Sequence, residues 1–194
     1  MDICLDLHYL PSTAYISAAG QAARLWLAVD APHQPKCQIN SCYISTSQGV
    51  QRLVVPVRRA TRRGDAQQVE IDYSTRWRKQ HLAALQAAYG KAPYYEEVMD
   101  LLTPIISAKS TLLSELQLGL FGVYRKFLPL TEDLNLGISF QAEQMLDLRG
   151  KLCPATVLDG NAMPYHQRFG GDFIPNLSIV DLLFCEGTQA HAFL

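Results

Sequence analysis

The first 30 residues constrain the fold more than any other part of the chain. Over residues 2–8, Ile3, Leu5 and Leu7 alternate with Asp2, Cys4 and Asp6, the period-two pattern of a half-buried strand. Tyr9-Leu10-Pro11 ends that run, and Ser12 or Thr13 stands where it can cap a small-residue helix reaching about Arg24. Residues 25–29 read as a second strand. Strand, helix and strand in about 30 residues is the size of a βαβ unit. No G-x-G-x-x-G lies inside it, so it carries no dinucleotide fingerprint.

Further along, residues 42–45 and 52–57 are β-like and flank Ser47-Gln48-Gly49, the pattern of a hairpin whose second strand is weakened by Pro56. A basic loop follows at 58–65, then extended chain at 69–71. Ser74 or Thr75 is placed to cap a helix in which Trp77, His81, Leu85 and Tyr89 share one face, with Gly90 at its end. Pro93 opens the next helix, with Glu96 and Glu97 in the first turn, where the helix dipole favours acids. A third is predicted to begin near Pro104 and to carry Leu112, Leu113, Leu116, Leu120, Tyr124 and Phe127. Leu134, Leu136, Ile138 and Phe140 alternate as a late strand, and a short helix is expected over 141–148. The stretch 150–175 is loop-like with one candidate strand at 165–169, and Ser178 caps a final helix. The predicted class is α/β, with mixed α+β as the alternative: an N-terminal βαβ-like unit, central helices and a C-terminal helix in one domain.

Composition narrows the function classes. The chain has 194 residues, 18% of them charged, 48% apolar, with a net charge of −1. That balance argues against electrostatic capture of duplex nucleic acid, and no apolar run reaches the 18 or more residues of a membrane-spanning helix, so no membrane insertion is expected. The N-terminus lacks the basic region of a signal peptide. Five scattered cysteines form no C-x-x-C pair. Zinc-ribbon spacing is therefore absent, and neither metal nor cofactor is expected. Cytoplasmic residence with reduced thiols is the simplest account.

Several segments together resemble the WbqC-like protein family, in the form common in Bacteroidetes. They are Tyr9-Leu10-Pro11 with Tyr15, Asn40-x-Cys42, Val55-Pro56-Val57, Trp77-x-x-x-His81, and Ala88-Tyr89 with Ala92-Pro93-Tyr94-Tyr95. Asp147-Leu148-Arg149, Pro164-Tyr165-x-Gln167-x-Phe169 and the run from Phe173 to Phe184 complete the set. The order is collinear over nearly the whole chain, and the closing F-I-P-N-L-S-I-V-D-L-L-F run is the most specific part. The resemblance implies one WbqC-like domain over 1–194. Members often belong to gene clusters for O-antigen or other surface polysaccharides, and glycine transfer to an amino sugar has been proposed for some. The chain departs from the family where relatives often show Arg-Asn-Arg-Cys, reading Ile39-Asn40-Ser41-Cys42 instead.

The candidate residues each carry two readings. His81 is a core histidine or a general base. Cys42 is a buried structural thiol or a nucleophile able to hold an aminoacyl thioester. Asn40 is a turn former or a donor to a developing oxyanion. Arg58, Arg59, Arg62 and Arg63 form a solvated loop or grip phosphate, with Arg59 and Arg62 taken as substrate contacts. Tyr15, Arg149, Tyr165 and Gln167 match family motifs and are candidate substrate-binding residues, with Arg149 tying down the end of its helix and Tyr165 packing as the alternatives. Asp181, inside an apolar helix, satisfies a local donor or pairs with an arginine, a catalytic role being the alternative.

The leading expectation is a cytoplasmic transferase acting on a small molecule, a nucleotide-linked sugar being the best fit, with His81 as base. The alternatives are a non-catalytic accessory module of the same pathway, and a thiol enzyme using Cys42. The sequence leaves the acyl donor and the oligomeric state open.

Overall fold

The computed structural model describes residues 1–31, 37, 39–61, 65–137, 145–153, 163–169 and 171–194. The chain is mixed α/β. Strand β1 (Asp2–Leu5) leads through helix α1 (Thr13–Gly20) to β2 (Arg24–Leu27), and the two strands pair in parallel. The predicted βαβ unit is therefore present. Ser12 caps α1, its hydroxyl accepting from the Tyr15 N–H at 3.4 Å.

The antiparallel hairpin β3 (Ser41–Thr46) and β4 (Gly49–Val54) comes next. Gly49 sits at φ +103°, a conformation that suits glycine at the strand entry. Three helices follow: α2 (Trp77–Tyr89), α3 (Tyr95–Ser107) and α4 (Leu113–Phe127). Trp77, His81, Leu85 and Tyr89 are all buried on α2, as their four-residue spacing requires. Then come β5 (Leu134–Leu136), β6 (Met145–Asp147) and α5 (Ile179–Glu186), whose cap is Ser178.

Four expectations need correction. Pro104 does not open a helix; it lies inside α3, which runs on to Ser107 because Val98, Met99, Leu102 and Ile106 keep one face buried across it. The cap of α2 is Arg76 and lacks a side-chain bond, so neither Ser74 nor Thr75 has that role. The helix expected over 141–148 is replaced, at Met145–Asp147, by β6. Three residues show no period, and pairing with β1 decides their conformation. Residues 165–169 form no strand. The predicted alternation at Ile138 and Phe140 lies outside the described residues.

The parallel sheet has the order β5-β2-β1-β6. Ile3 and Leu5 of β1 face the main core, together with Leu25 and Leu27 of β2, Leu116 and Leu120 of α4, and Leu182 and Leu183 of α5. Cys4 faces the other way, into a small cluster with Ala28 and Ala31. Strand β1 is thus buried on both faces, as central parallel strands are. No described helix is long and apolar enough to cross a membrane.

Candidate functional site

Strand order locates the site. From β1 the chain moves to β2 on one side, and β5 extends the sheet further that way. Strand β6 instead returns to the opposite side of β1. In open parallel sheets, ligands bind outside the carboxyl ends of the strands where this reversal occurs. Here that reversal lies between the ends of β1 and β6, which Asp6, His8 and Arg149 follow.

Asp6 directly follows β1. Its Oδ2 accepts the Gly150 N–H at 2.6 Å, bridging the ends of β1 and β6. It is only 6% exposed, and burial raises its carboxyl above the ordinary value, partly opposed by Gly150 and Arg149. His8 is 5% exposed, its Nδ1 has no hydrogen-bond partner among the described residues, and burial lowers it to about 3, so the ring is neutral. Tyr15 braces both residues. Its ring stacks on His8 at 4.7 Å, and its hydroxyl donates to the Asp6 carbonyl at 2.7 Å. Arg149 holds a forked ion pair with Asp147, Nε to Oδ1 at 2.9 Å and Nη2 to Oδ2 at 2.7 Å. Its Nη1 has no protein partner among the described residues.

The segment carrying Asp6 and His8 is clamped. Gln117 of α4 donates from Nε2 to the carbonyls of Leu7 and Ile39, each at 3.0 Å. The Ser178 hydroxyl donates to the Leu10 carbonyl at 2.8 Å. Leu10 itself is held at φ +43°, a strained conformation for a branched side chain. Such strain concentrates at functional segments, where surrounding contacts enforce it.

Beside this segment, Cys37 and Cys153 form a disulfide. The expectation of uniformly reduced thiols is corrected at this pair, which connects chain following β2 to chain following β6. Widely spaced cysteines gave no hint of it, because the sheet alone brings them together.

The sequence candidates fall into separate groups. Among the described candidates, only Tyr15 and Arg149 lie at this end of the sheet. His81 is enclosed on α2 between Trp77 and Tyr9, with ring centroids 5.1 and 5.5 Å away. Tyr9 is buried and its hydroxyl is raised well above the ordinary value, so it keeps its proton and donates to His81 Nδ1 at 2.8 Å. Val54 backbone engages the ring as well, and burial lowers His81 to about 4. Cys42 is buried on β3, and burial pushes its thiol far up, only partly opposed by the Leu53 backbone. Asn40 donates from Nδ2 to the Val55 carbonyl at 2.8 Å, while the Val55 N–H donates to the Asn40 carbonyl, closing the open end of the hairpin.

Tyr165 and Gln167 belong to a third group around Asp181. The carboxylate is fully buried and accepts the Tyr89 hydroxyl at 2.5 Å and the Tyr165 hydroxyl at 2.6 Å. Two tyrosines, rather than an arginine, satisfy it. Gln167 pairs both ways with the Ile174 backbone. Arg59 is exposed on a turn, Arg58 pairs with Glu70 at 3.3 Å, and Arg62 and Arg63 lie outside the described residues.

Sequence reasoning passed over Asp6 and His8. The available signal was their place at the end of the first strand of a βαβ unit. It also missed a basic hollow of about 470 Å³ lined by Tyr73, Arg76, Arg78, Lys79 and Lys109, in which Arg78 and Lys109 lie over the Tyr73 ring.

The chain is similar to the uncharacterized protein Rv1507c of Mycobacterium tuberculosis, 24% identical over 96% of this chain and 94% of the relative. No solved structure matches. The model of the WbqC-like protein family matches residues 7–161, which takes in His8, Tyr15, α1, β2, the hairpin, α2 to α4 and Arg149, and leaves β1 and α5 outside. The chain belongs to the WbqC-like protein family.

Proposed function

We propose that the chain is a transferase that passes an acyl group, glycyl being the leading case, to the amino group of a nucleotide-linked sugar for surface polysaccharide assembly. The whole chain, 1–194, acts as one WbqC-like domain, and the reaction site is the crevice between β1 and β6. One observation carries the reading: a buried carboxylate, Asp6, and a forked guanidinium, Arg149, meet at the carboxyl end of the sheet. That pair is complementary to a substrate bearing both an amine and an anionic group. Asp6 accepts from the amine, while Nη1 of Arg149, unpartnered among the described residues, donates to phosphate or carboxylate oxygens. Tyr15 fixes the crevice wall, and Arg149 is held in place beforehand by Asp147, which favours oriented binding. In this reading His81 acts through Tyr9 as a positioning residue, since its ring is occupied by protein partners. A nucleotide-linked substrate makes the location cytoplasmic.

A binding role without catalysis is the second reading. It is favoured by the missing Arg-Asn-Arg pattern, by the commitment of Asn40 to Val55, and by the basic hollow beside Tyr73, which suits an anionic partner. Mass spectrometry of nucleotide-linked amino sugars incubated with the protein and a panel of acyl donors separates the two. An acylated product is expected, reduced by roughly 100-fold in Arg149→Gln. Undiminished product in Arg149→Gln and Asp6→Asn would move the site elsewhere. No product from any donor would favour the binding role.

A further inference from the structure

Asp6, His8 and Cys37 each bring one ligand atom to a common point, all within 4.8 Å of one another and all buried. Cys153 is bonded to Cys37, so its sulfur lies at the same place. The four residues come from three connections, those following β1, β2 and β6. His8 supplies an independent sign that something belongs there: the side chain is 5% exposed and its Nδ1 is orphaned. An unsatisfied buried polar atom is costly and calls for a partner.

We propose that, once the Cys37–Cys153 bond is reduced, Asp6, His8, Cys37 and Cys153 bind one divalent ion of the zinc type. Two thiolates, an imidazole and a carboxylate form a tetrahedral S/N/O set that suits zinc and disfavours calcium or magnesium. The supports of a metal site are also present. Gly150 holds Asp6 through Oδ2, leaving Oδ1 for the ion, which then takes the place of the substrate amine at that oxygen, and Tyr15 fixes the His8 ring plane. The disulfide is then the oxidised alternative of the same site. A dithiol gives two electrons and two protons to the sulfur–sulfur bond, which breaks into two thiols while the dithiol closes to its own disulfide. On binding, each thiol releases its proton to water as its sulfur bonds the ion. A cytoplasmic dithiol pool supplies that reductant.

The test uses the full chain, reduced anaerobically with dithiothreitol and desalted, then titrated with Co2+ as a spectroscopic probe and with Zn2+. The expected result is one Co2+ per chain with a thiolate-to-cobalt charge-transfer band, displaced by Zn2+. Protein that keeps its disulfide gives no band. Cys153→Ser and His8→Ala should each weaken binding by at least ~10-fold, while Cys42→Ser leaves it unchanged. Should those variants misfold, the wild-type chain still decides: Zn2+ is expected to protect Cys37 and Cys153 from alkylation. Absence of the band in reduced protein, or a band that survives in folded Cys153→Ser and His8→Ala, or unprotected Cys37 and Cys153, would overturn the proposal. None of these readouts needs turnover, so failure here leaves the transfer reading standing, and failure to transfer leaves this one standing.

Discussion

Removing the hydroxyl of Tyr89 should destabilise the fold more than removing that of Tyr165, although both donate to the same carboxylate. Asp181 is fully buried, so each donor to its charge is worth about 1.5–3 kcal/mol. Tyr165→Phe removes one such bond, and Gln167 keeps its partner at Ile174. Tyr89→Phe removes the other and also orphans the Ser45 N–H, which donates to the Tyr89 hydroxyl at 3.0 Å. A buried N–H left unpaired adds about 1–3 kcal/mol. The expected losses are therefore about 2.5–6 kcal/mol for Tyr89→Phe and about 1.5–3 kcal/mol for Tyr165→Phe. At about 2–4 °C per kcal/mol, the former lowers Tm by roughly 5–24 °C. The effect is also pH-dependent. Burial holds Asp181 above the ordinary carboxyl value, opposed by its two tyrosine donors. The folded chain thus binds this proton more tightly than the unfolded chain, and this group's stability contribution falls as pH rises from the ordinary value through the raised one. Loss of a donor raises the folded value further, so the cost of Tyr89→Phe should be larger at pH 8 than at pH 5. Urea unfolding followed by fluorescence of Trp26 and Trp77 measures both. A smaller loss for Tyr89→Phe than for Tyr165→Phe, or a cost that shrinks towards pH 8, would refute the assignment of the network.

Other predictions concern the core and the turns. His81 is lowered from 6.5 to about 4, so the unfolded chain takes the proton first. Stability should fall as pH drops from 6.5 through 4, by on the order of 3 kcal/mol. His81→Gln should flatten that part of the profile of urea midpoints, and an unchanged slope would refute the enclosure of the ring. Alkylation of native protein followed by peptide mass spectrometry should label Cys185, which is partly exposed, before Cys4 and Cys42, which are buried. Fast labelling of Cys42 would restore it as a nucleophile. Gly187 lies at φ +54°, and a Cβ there would meet the Tyr94 ring at 2.5 Å, whereas Gly49 at φ +103° has open space. Gly187→Ala should cost about 2–6 kcal/mol, from strain and overpacking together, and Gly49→Ala about 1–3 kcal/mol from strain alone. Equal shifts in urea midpoint would contradict the contact with Tyr94.

What the sequence reveals depends on whether the cause is local. The α2 stripe of Trp77, His81, Leu85 and Tyr89 is legible because one helix surface produces it. The same is true of the βαβ unit and the hairpin. Strand β6 is not legible, because three residues acquire their conformation from β1, more than 140 positions away. The site shares that origin. Alternation along β1 correctly assigns Ile3, Leu5 and Leu7 to the core, and by the same rule it turns Asp6 and His8 to the opposite face, which reads as solvent. In the fold that face is covered by chain following β2 and β6, so Asp6 and His8 are buried with Cys37. An exposed aspartate and histidine at a strand end carry little information. The same two residues enclosed beside Cys37 and Cys153, with one imidazole nitrogen unsatisfied, are costly to keep unless they bind something. The cost is set by residues distant in sequence, which is why periodicity identifies the strand and only the tertiary fold identifies its end as a site.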